Sequence, residues 1–417
     1  MWSGPGAAPA NRGASLLTEK LSLVLAHNYY RQRGGEDVVF EREAELLRSR
    51  GHRVALFTAE SRLPGLRQRA RAVCAALAGA YNRDAARHFA QLVRRFHPDL
   101  VHVHNTFPLL TPAVVSVCRR MRIPVVATLH NYRLLCPAAT LYREGRICQD
   151  CRGSRWRWRA LVHGCCRNSR WRSAITCLAS DIHDRLRTWQ RAVTLFIAPS
   201  EFVRHTFIAA GWPAQNICTK PHFVLPDPGN GSGGGRYCLF VGRLAPEKGL
   251  LTLLRAWPRI NCGWSLKVVG DGPLRQPVAQ AAATHPAIEW LGAKSAPQVM
   301  DLLARAEALV APSECLETFG LNIIEAFARG VPVIASRIGG YGELVREGET
   351  GMLFPPGDDA ALATAVADLA RRGDRAAMGR RARLEFERRY SPGRNYDLLH
   401  SVYCRALSSP RAAQESL

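Results

Sequence analysis

Short apolar runs alternate with amphipathic stretches along most of the chain. In the first half the apolar runs cover residues 21–26, 53–58, 99–104, 125–129 and 195–198. Runs this short, bounded by turn residues, are typical of strands buried on both faces of a sheet. Between them, apolar positions recur at helical spacing, as in 36–49, 83–96 and 201–210. Strands that alternate with helices predict an α/β fold with a parallel sheet.

The same alternation restarts in the second half of the chain. There the apolar runs cover residues 237–241, 266–269, 289–292, 308–311 and 331–335. Because 417 residues exceed what one hydrophobic core usually holds, we predict two domains. The predicted parts are a disordered leader at 1–19, a first domain at 20–225 with an insertion at 133–175, a linker at 226–235, a second domain at 236–390 and a C-terminal helix at 391–417.

Composition and charge indicate the class of protein, its compartment and the charge of its partners. A hydrophobic share of 47% and a charged share of 22% are those of a globular protein. Neither an apolar run of roughly eighteen residues nor a basic start with an apolar core is present, so we expect no membrane span, no secretion signal and a cytosolic location. The net charge of +23 favours polyanionic partners, and 13 cysteines in a cytosolic chain argue against a disulfide framework.

The stretch ETFGLNIIE, residues 317–325, follows a short strand and opens a helix. Pro312 and Ser313 end the strand, and apolar residues at helical spacing begin near Gly320. Glu317 therefore lies in the loop and Glu325 lies more than one turn inside the helix. Two such carboxylates can face a crevice at the carboxyl ends of parallel strands, beside a helix start that favours phosphate. The arrangement suits a nucleotide sugar; the alternative is an ordinary αβ unit with two solvated carboxylates.

Two glycine-bearing loops also follow predicted strands. Gly34 and Gly35 precede the first helix, where backbone can approach a ligand closely, although a simple turn remains an alternative. Gly242 directly follows the strand at 237–241 and opens the stretch GRLAPEKGL. In that stretch Arg243 and Lys248 supply two cations for a diphosphate, Arg243 as a bidentate fork and Lys248 as a point charge.

These motifs together resemble the donor site of the retaining family 4 glycosyltransferases, which have the GT-B fold. The resemblance rests on Glu317-x7-Glu325 followed by AFARGVPVIAS and a glycine pair, on the GR-x4-KG element at 242–249, and on the GDG element at 270–272. It covers nearly the whole chain beyond the leader. It implies two Rossmann-like domains facing a cleft, with the last helix crossing back to the first domain.

The resemblance also implies roles for individual residues. Arg243 and Lys248 would neutralise the leaving diphosphate, Glu325 would hold the nucleotide ribose, and Glu317 would hold hydroxyls of the donor sugar. His130, which ends the strand at 125–129, would contact the sugar from the first domain; a purely structural role for this histidine is the alternative. The remaining donor-binding residues are Gly34, Gly35, Gly242, Gly270, Phe319, Gly320 and Leu321.

The implied reaction moves a sugar from a nucleotide-diphosphate sugar to an acceptor hydroxyl with the anomeric configuration retained. The expected acceptor is a saccharide or lipid-linked saccharide of cell-envelope glycan synthesis. No catalytic divalent metal or other cofactor is expected, because side chains supply the cations. Two rivals stay open: a sugar-nucleotide epimerase on the same scaffold, and a catalytically silent basic scaffold that binds membrane or nucleic acid.

The insertion at 133–175 is rich in cysteine, arginine and tryptophan. Cys148-x2-Cys151 has the spacing of a metal knuckle, and Cys136 with Cys165 (or Cys166) could complete four zinc ligands. Free thiols are the alternative to this structural zinc. The arginines at 155, 157, 159, 167, 170 and 172 are interleaved with the tryptophans at 156, 158 and 171. That mixture suits an anionic membrane surface. The alternatives are a solvated basic surface and single-stranded nucleic acid, although we do not expect nucleic acid as a partner.

Overall fold

A computed structural model describes residues 20–30, 32–60, 81–154, 156–166 and 168–409. The predicted leader at 1–19 lies outside the described residues, as do Arg155 and Arg167 of the insertion. Within the described part of the chain, no helix is both long enough and apolar enough to cross a membrane.

The first half of the chain builds one six-stranded parallel sheet, with the strand order β2-β1-β3-β4-β7-β8. A short antiparallel hairpin, β5–β6, lies in the insertion. The strands are β1 (Ser22–Tyr29), β2 (Arg53–Glu60), β3 (Leu100–Asn105), β4 (Val125–Thr128), β5 (Tyr142–Arg143), β6 (Arg146–Ile147), β7 (Leu195–Ala198) and β8 (Ile217–Thr219). Strands β3, β4 and β7 are buried along their whole length, as continuous apolar runs predict.

Helices cover both faces of this sheet. They are α1 (Gly35–Ser49), α2 (Arg83–Phe96), α3 (Ala113–Arg120), α4 (Trp158–Val162), α5 (Arg170–Arg185), α6 (Thr188–Ala192) and α7 (Glu201–Ile208). Polar side chains fix several helix starts: Asn82 accepts hydrogen bonds from the amides of Asp84 and Ala85, and Ser200 accepts one from the amide of Val203. Such caps satisfy amides that have no partner within the helix.

The second half repeats the design, with the strand order β11-β10-β9-β12-β13-β14. Its strands are β9 (Tyr237–Val241), β10 (Ser265–Val269), β11 (Ile288–Gly292), β12 (Ala308–Ala311), β13 (Val333–Ser336) and β14 (Gly351–Phe354). Its helices are α8 (Leu250–Ala256), α9 (Arg275–Thr284), α10 (Ala296–Arg305), α11 (Leu321–Ala328), α12 (Tyr341–Leu344), α13 (Asp359–Arg371) and α14 (Arg375–Arg389). The order reverses between β9 and β12, so the loops after these two strands diverge and leave a crevice there.

The last helix, α15 (Pro392–Leu407), packs on the first sheet. Leu399, Tyr403 and Ala406 are fully buried in the core that also holds Leu23 and Phe40. The hydroxyl of Tyr403 lies 2.9 Å from His102 Nδ1. The chain therefore returns to its first domain after completing the second.

The segment at 226–235 forms neither helix nor strand and lies along the second domain. Amides of its glycines donate to backbone carbonyls there: Gly231 to Arg329 at 2.8 Å, and Gly233 to Ala304 at 2.9 Å. These bonds hold the predicted linker against the surface of the second domain.

Candidate functional site

A cleft of about 2690 Å³ separates the two domains, and both contribute to its walls. All twelve residues predicted for catalysis and donor binding line this cleft, although they come from five separate stretches of the chain. Those from the second domain follow β9 and β12, between which the strand order reverses, and β10, which neighbours β9. Those from the first domain follow β1 and β4. The cleft thus lies at the carboxyl ends of both sheets, where open α/β sheets bind their ligands.

Each of the two cationic side chains predicted to bind the diphosphate is paired with a carboxylate. Lys248 Nζ lies 2.6 Å from Glu317 Oε1, and that oxygen also accepts a hydrogen bond from Ser313 Oγ at 2.6 Å. Arg243 pairs with Glu247, four residues further along the chain. Burial lowers the pKa of Lys248, but the Glu317 carboxylate, Tyr341 and Cys315 together outweigh this effect, so the pKa is raised. Lys248 is therefore charged and its charge is compensated within the site.

Glu325, predicted to hold the ribose, is engaged by the first domain. Arg42 on α1 donates to Glu325 Oε1 at 2.9 Å, and both side chains are largely buried. Burial raises the pKa of Glu325, and Arg42 opposes that rise. The carboxylate therefore lies at the predicted place in the cleft and also joins the two domains.

Backbone in the cleft approaches its neighbours closely at two predicted glycines. A Cβ on Gly35 would lie 2.9 Å from Leu321 Cδ1, so the glycine loop of the first domain fits against the start of α11. Gly270 has a φ of 141°, and a Cβ there would lie 1.9 Å from the carbonyl oxygen of Gly242. Gly34 has open space around it, but its amide already donates to Asp37 Oδ2 at 2.8 Å.

Glu343 forms a second contact between the two domains. It follows the glycine pair at 339–340, which is part of the resemblance described above. Its carboxylate accepts hydrogen bonds from the amides of Glu201, at 3.0 Å, and Phe202 at the start of α7. Nearby, Thr318 Oγ1 donates to the carbonyl of His130 at 3.0 Å. The second domain thus fixes the backbone of the histidine that the first domain presents to the cleft.

His130 belongs to a row of stacked rings. Its ring stacks on His104 and on His222, with centroids 5.2 Å apart in both cases, and Phe319 packs edge-on against His222. Burial and the neighbouring His222 lower the pKa of His130 well below its usual value. The imidazole is therefore neutral near neutral pH, with one nitrogen that donates and one that accepts.

The far end of this row meets a buried ion pair. Lys220 Nζ lies 2.8 Å from Glu43 Oε1, and both side chains are fully buried. His104 Nε2 lies 3.4 Å from Glu43 Oε2, and His104 Nδ1 lies 3.0 Å from His130 Nε2. His102 bonds the hydroxyls of Tyr403 and Thr128, as expected for a histidine satisfied by its neighbours.

Sequence reasoning missed Glu36, which also lines the cleft. Asn131 Nδ2 donates to its carboxylate at 3.3 Å. Burial and the adjacent Asp37 raise the pKa of Glu36 to about 8, although Arg133 opposes the rise. The missed residues Arg42 and Glu43 share α1 with Glu36. Glu43 has a signal in the sequence, because a glutamate on the apolar face of an amphipathic helix needs a buried partner.

The cysteines predicted as zinc ligands lie near one another in the insertion. Burial raises the pKa of Cys151 to about 12, and the neighbouring Cys136 and Cys165 add to that rise. Among the described residues the one group whose ligand atoms converge on a single point, within 4.8 Å of one another, is Glu43, His102 and His104. The cysteines form no such group there, and the zinc site stays a prediction.

Arg157 does not lie on the predicted basic surface. Its guanidinium is buried, bonds Asp181 at 2.6 Å, and also bonds Asp184 and the carbonyl of Leu134. It therefore neutralises two carboxylates of α5 and ties that helix to the insertion. The prediction of an exposed Arg157 was wrong, because a tryptophan–arginine alternation does not show which side chain turns inward.

Two family models match adjoining parts of the chain. Residues 33–227 match the model described as Glycosyltransferase Family 4, and residues 235–372 match the model described as Glycosyl transferases group 1. The relatives include a glycogen synthase of Mycobacterium tuberculosis, 32% identical over 71% of this chain and 65% of its own length. A phosphatidyl-myo-inositol mannosyltransferase of Mycobacterium leprae is 37% identical over 33% of this chain and 38% of its own length. The chain thus matches less than two thirds of either relative.

Solved structures of similar shape cover nearly the whole chain. Anabaena HepE in complex with UDP-glucose superposes with a TM-score of 0.62 at 19% identity, over 92% of this chain and 99% of its own. The sucrose-phosphate synthase of Thermosynechococcus elongatus gives a TM-score of 0.65 at 17% identity, over 92% and 98%. The predicted fold class, GT-B with two Rossmann-like domains facing a cleft, is confirmed.

Proposed function

We propose that this GT-B protein, both halves of which match glycosyltransferase models, moves a sugar from a nucleotide-diphosphate sugar to an acceptor hydroxyl. The observation that carries the proposal is the group of Arg243, Lys248 and Glu317 at the reversal of strand order in the second domain. Two cations there face a cleft large enough for a donor and an acceptor together. A diphosphate leaving group needs such charges where its own charge develops.

Donor binding on this proposal exchanges one anion for another. The diphosphate takes the place of Glu317 beside Lys248, and of Glu247 beside Arg243. Glu317 then turns its carboxylate to hydroxyls of the donor sugar, and Glu325 receives hydroxyls of the ribose. Lys248 and Arg243 therefore face an anion in both states, which limits the desolvation cost of their charges.

As the bond between sugar and diphosphate breaks, negative charge grows on the leaving phosphate and the two cations stabilise it. This stabilisation exists fully only in the transition state, so it increases kcat. Retention of the anomeric configuration is supported by the Glu317-x7-Glu325 resemblance. The side-chain cations meet the electrostatic demand, and we propose that the reaction needs no catalytic cofactor.

His130 takes a defined tautomer in this scheme. Because Glu43 is ion-paired with Lys220, its carboxylate favours a proton on the facing His104 Nε2. His104 Nδ1 then accepts, and His130 Nε2 donates to it. His130 Nδ1 remains as an acceptor for a sugar hydroxyl in the cleft.

The acceptor on this proposal is a saccharide or lipid-linked saccharide of the cell envelope. The name of one relative, phosphatidyl-myo-inositol mannosyltransferase, supports an acceptor of lipid character, and that of another, glycogen synthase, supports a saccharide.

The test uses purified full-length protein and a panel of UDP-, GDP- and ADP-sugars. We expect one donor to raise the melting temperature and to be hydrolysed slowly with release of the nucleoside diphosphate. The anomeric configuration of the transferred sugar, read by NMR, tests retention. Conversion of the donor to an epimer without diphosphate release would favour the epimerase. Neither stabilisation nor turnover with any donor would favour the silent scaffold.

A further inference from the structure

Exposed apolar side chains are concentrated in one part of the first domain. Of the 13 large apolar side chains that are exposed among the described residues, eight lie between residues 156 and 186. They are Trp156, Trp158, Leu161, Val162, Trp171, Leu178, Ile182 and Leu186, here called the insertion surface. Scattered exposed apolar residues need no explanation, but a cluster marks an interaction site.

Half of the insertion surface forms a stripe along α5. Trp171, Leu178, Ile182 and Leu186 follow one another at intervals of seven, four and four residues, which keeps them on one side of the helix. Trp171 and Leu178 expose 52% of their area each, so the described residues leave about half of each side chain open. The opposite side is buried through Ser173, Thr176 and Cys177.

Helix α4 adds the remaining members beside α5. Its Ala160 packs with Cys177 of α5 in a small buried core, which leaves Trp158, Leu161 and Val162 facing outward. Trp156 lies at the other end of α5, where the guanidinium of Arg185 is 3.8 Å from the centre of its ring. The stripe and the α4 residues are thus held together by packing and by a cation–π contact.

The exposed charged side chains of α4 and α5 have one sign, and one of them, Arg159, also lies 3.8 Å from Asp150 Oδ1. Asp181 and Asp184, the two acids of α5, are both neutralised by Arg157. The exposed charged side chains of α4 and α5 are Arg159, Arg170, Arg172 and Arg185, and Arg187 follows α5 directly. Apolar side chains among cations match the boundary between the headgroups and acyl chains of an anionic bilayer.

The stripe also reaches the donor cleft. Trp171, Arg172, Ile175 and Ala179 line the cleft wall, so the N-terminal half of α5 borders the cleft and the insertion surface at once. A molecule held in a bilayer under α5 would meet the cleft without leaving the headgroup region.

We propose that the insertion surface rests on an anionic lipid bilayer and sets the mouth of the cleft at the headgroup plane. Acceptors anchored in that bilayer then reach the cleft along α5. The delivery of acceptors along α5 rests on the proposed function, whereas the contact with the bilayer does not.

The test is flotation of full-length protein with phosphatidylcholine vesicles, with and without phosphatidylglycerol. We expect binding only to the anionic vesicles, with an affinity that falls as salt rises but does not vanish, since the apolar part is insensitive to salt. The double variant Leu178→Ser, Ile182→Ser should lose at least about fivefold in partition coefficient, because interfacial binding scales with buried apolar area.

The matched control is Leu384→Ser, which removes an equally exposed leucine from the second domain and should bind like the unmodified protein. Equal binding by the double variant and the control would overturn the proposal. So would tighter, salt-dependent binding to single-stranded RNA, or a concentration-dependent dimer that the double variant abolishes. Donor hydrolysis separates the two proposals: vesicle binding without hydrolysis contradicts the proposed function alone, and hydrolysis without vesicle binding contradicts the bilayer contact alone.

Discussion

Lys248 is the residue whose loss should damage catalysis most directly. Its ammonium lies 2.6 Å from Glu317 Oε1 at the floor of the cleft. In Lys248→Ala the site loses a charge that would face the leaving diphosphate, and Glu317 loses its cation. A suitable control is Arg259→Ala, since Asp359 keeps Arg255 at 3.2 Å when Arg259 is removed.

The expected magnitude follows from the charge that develops at the phosphate. Removing one donor aimed at a developing negative charge costs about 10² to 10³ in kcat, or about 2.7 to 4 kcal/mol. A unit charge at about 4 Å in a medium of effective dielectric constant about 20 gives a similar value, about 4 kcal/mol. The diphosphate is already anionic in the bound donor, so KM should also rise, but by less than kcat falls.

The assay is steady-state donor hydrolysis by Lys248→Ala, Glu317→Gln, the double variant and the control. Because the two side chains touch in the free protein, their effects should not add, and the coupling should be at least about 0.5 kcal/mol. A kcat for Lys248→Ala within about threefold of the Arg259→Ala value would refute the assigned phosphate site, whatever happens to KM.

Three further outcomes test other parts of the structure. Burial raises the pKa of Glu36 to about 8, so the folded protein keeps a proton that the unfolded chain releases, and the free energy of unfolding should fall as pH rises from about 5 to 8. Over that pH range Glu36→Gln should gain at least about 1 kcal/mol in stability relative to the unmodified protein, measured by denaturant unfolding. A stability difference between the two proteins that stays the same at every pH would contradict this prediction. Purified protein should carry about one zinc, and Cys148→Ser should lower both metal content and melting temperature; metal-free protein with the same melting curve ends that idea. Gly270→Ala should lower the free energy of unfolding by at least about 2 kcal/mol, whereas Gly373→Ala, at a position with open space, should change it little. Equal costs would show that the Gly242 carbonyl moves aside, which contradicts the prediction.

The sequence predicts the two parallel α/β domains well because continuous apolar runs and helical spacing are local signals. It also predicts which residues meet in the cleft, since Gly242 and Glu317 each follow a strand and strand ends gather at one edge. It does not predict pairing across the cleft. Nothing near Arg42 indicates that it will bond Glu325, because that contact depends on how two separately folded units dock.

The orientation of single side chains in the insertion is equally inaccessible from the sequence. Arg157 turns inward and Arg159 outward, although both stand beside a tryptophan. The difference arises from Asp181 and Asp184, which approach Arg157 only once α5 packs against the insertion. Likewise His130 follows a strand as predicted, but its neutral state depends on burial and on His222, which the chain supplies ninety-two residues later.

The return of α15 to the first domain affects how the protein is made. A ribosome completes residues 20–225 long before Leu399 and Tyr403 exist, yet these side chains fill the core beside Leu23 and Phe40. During synthesis the first domain therefore waits with an open apolar surface while the whole second domain emerges. Its final closure comes after the chain reaches α15, and in that interval the nascent protein is most in need of protection from aggregation.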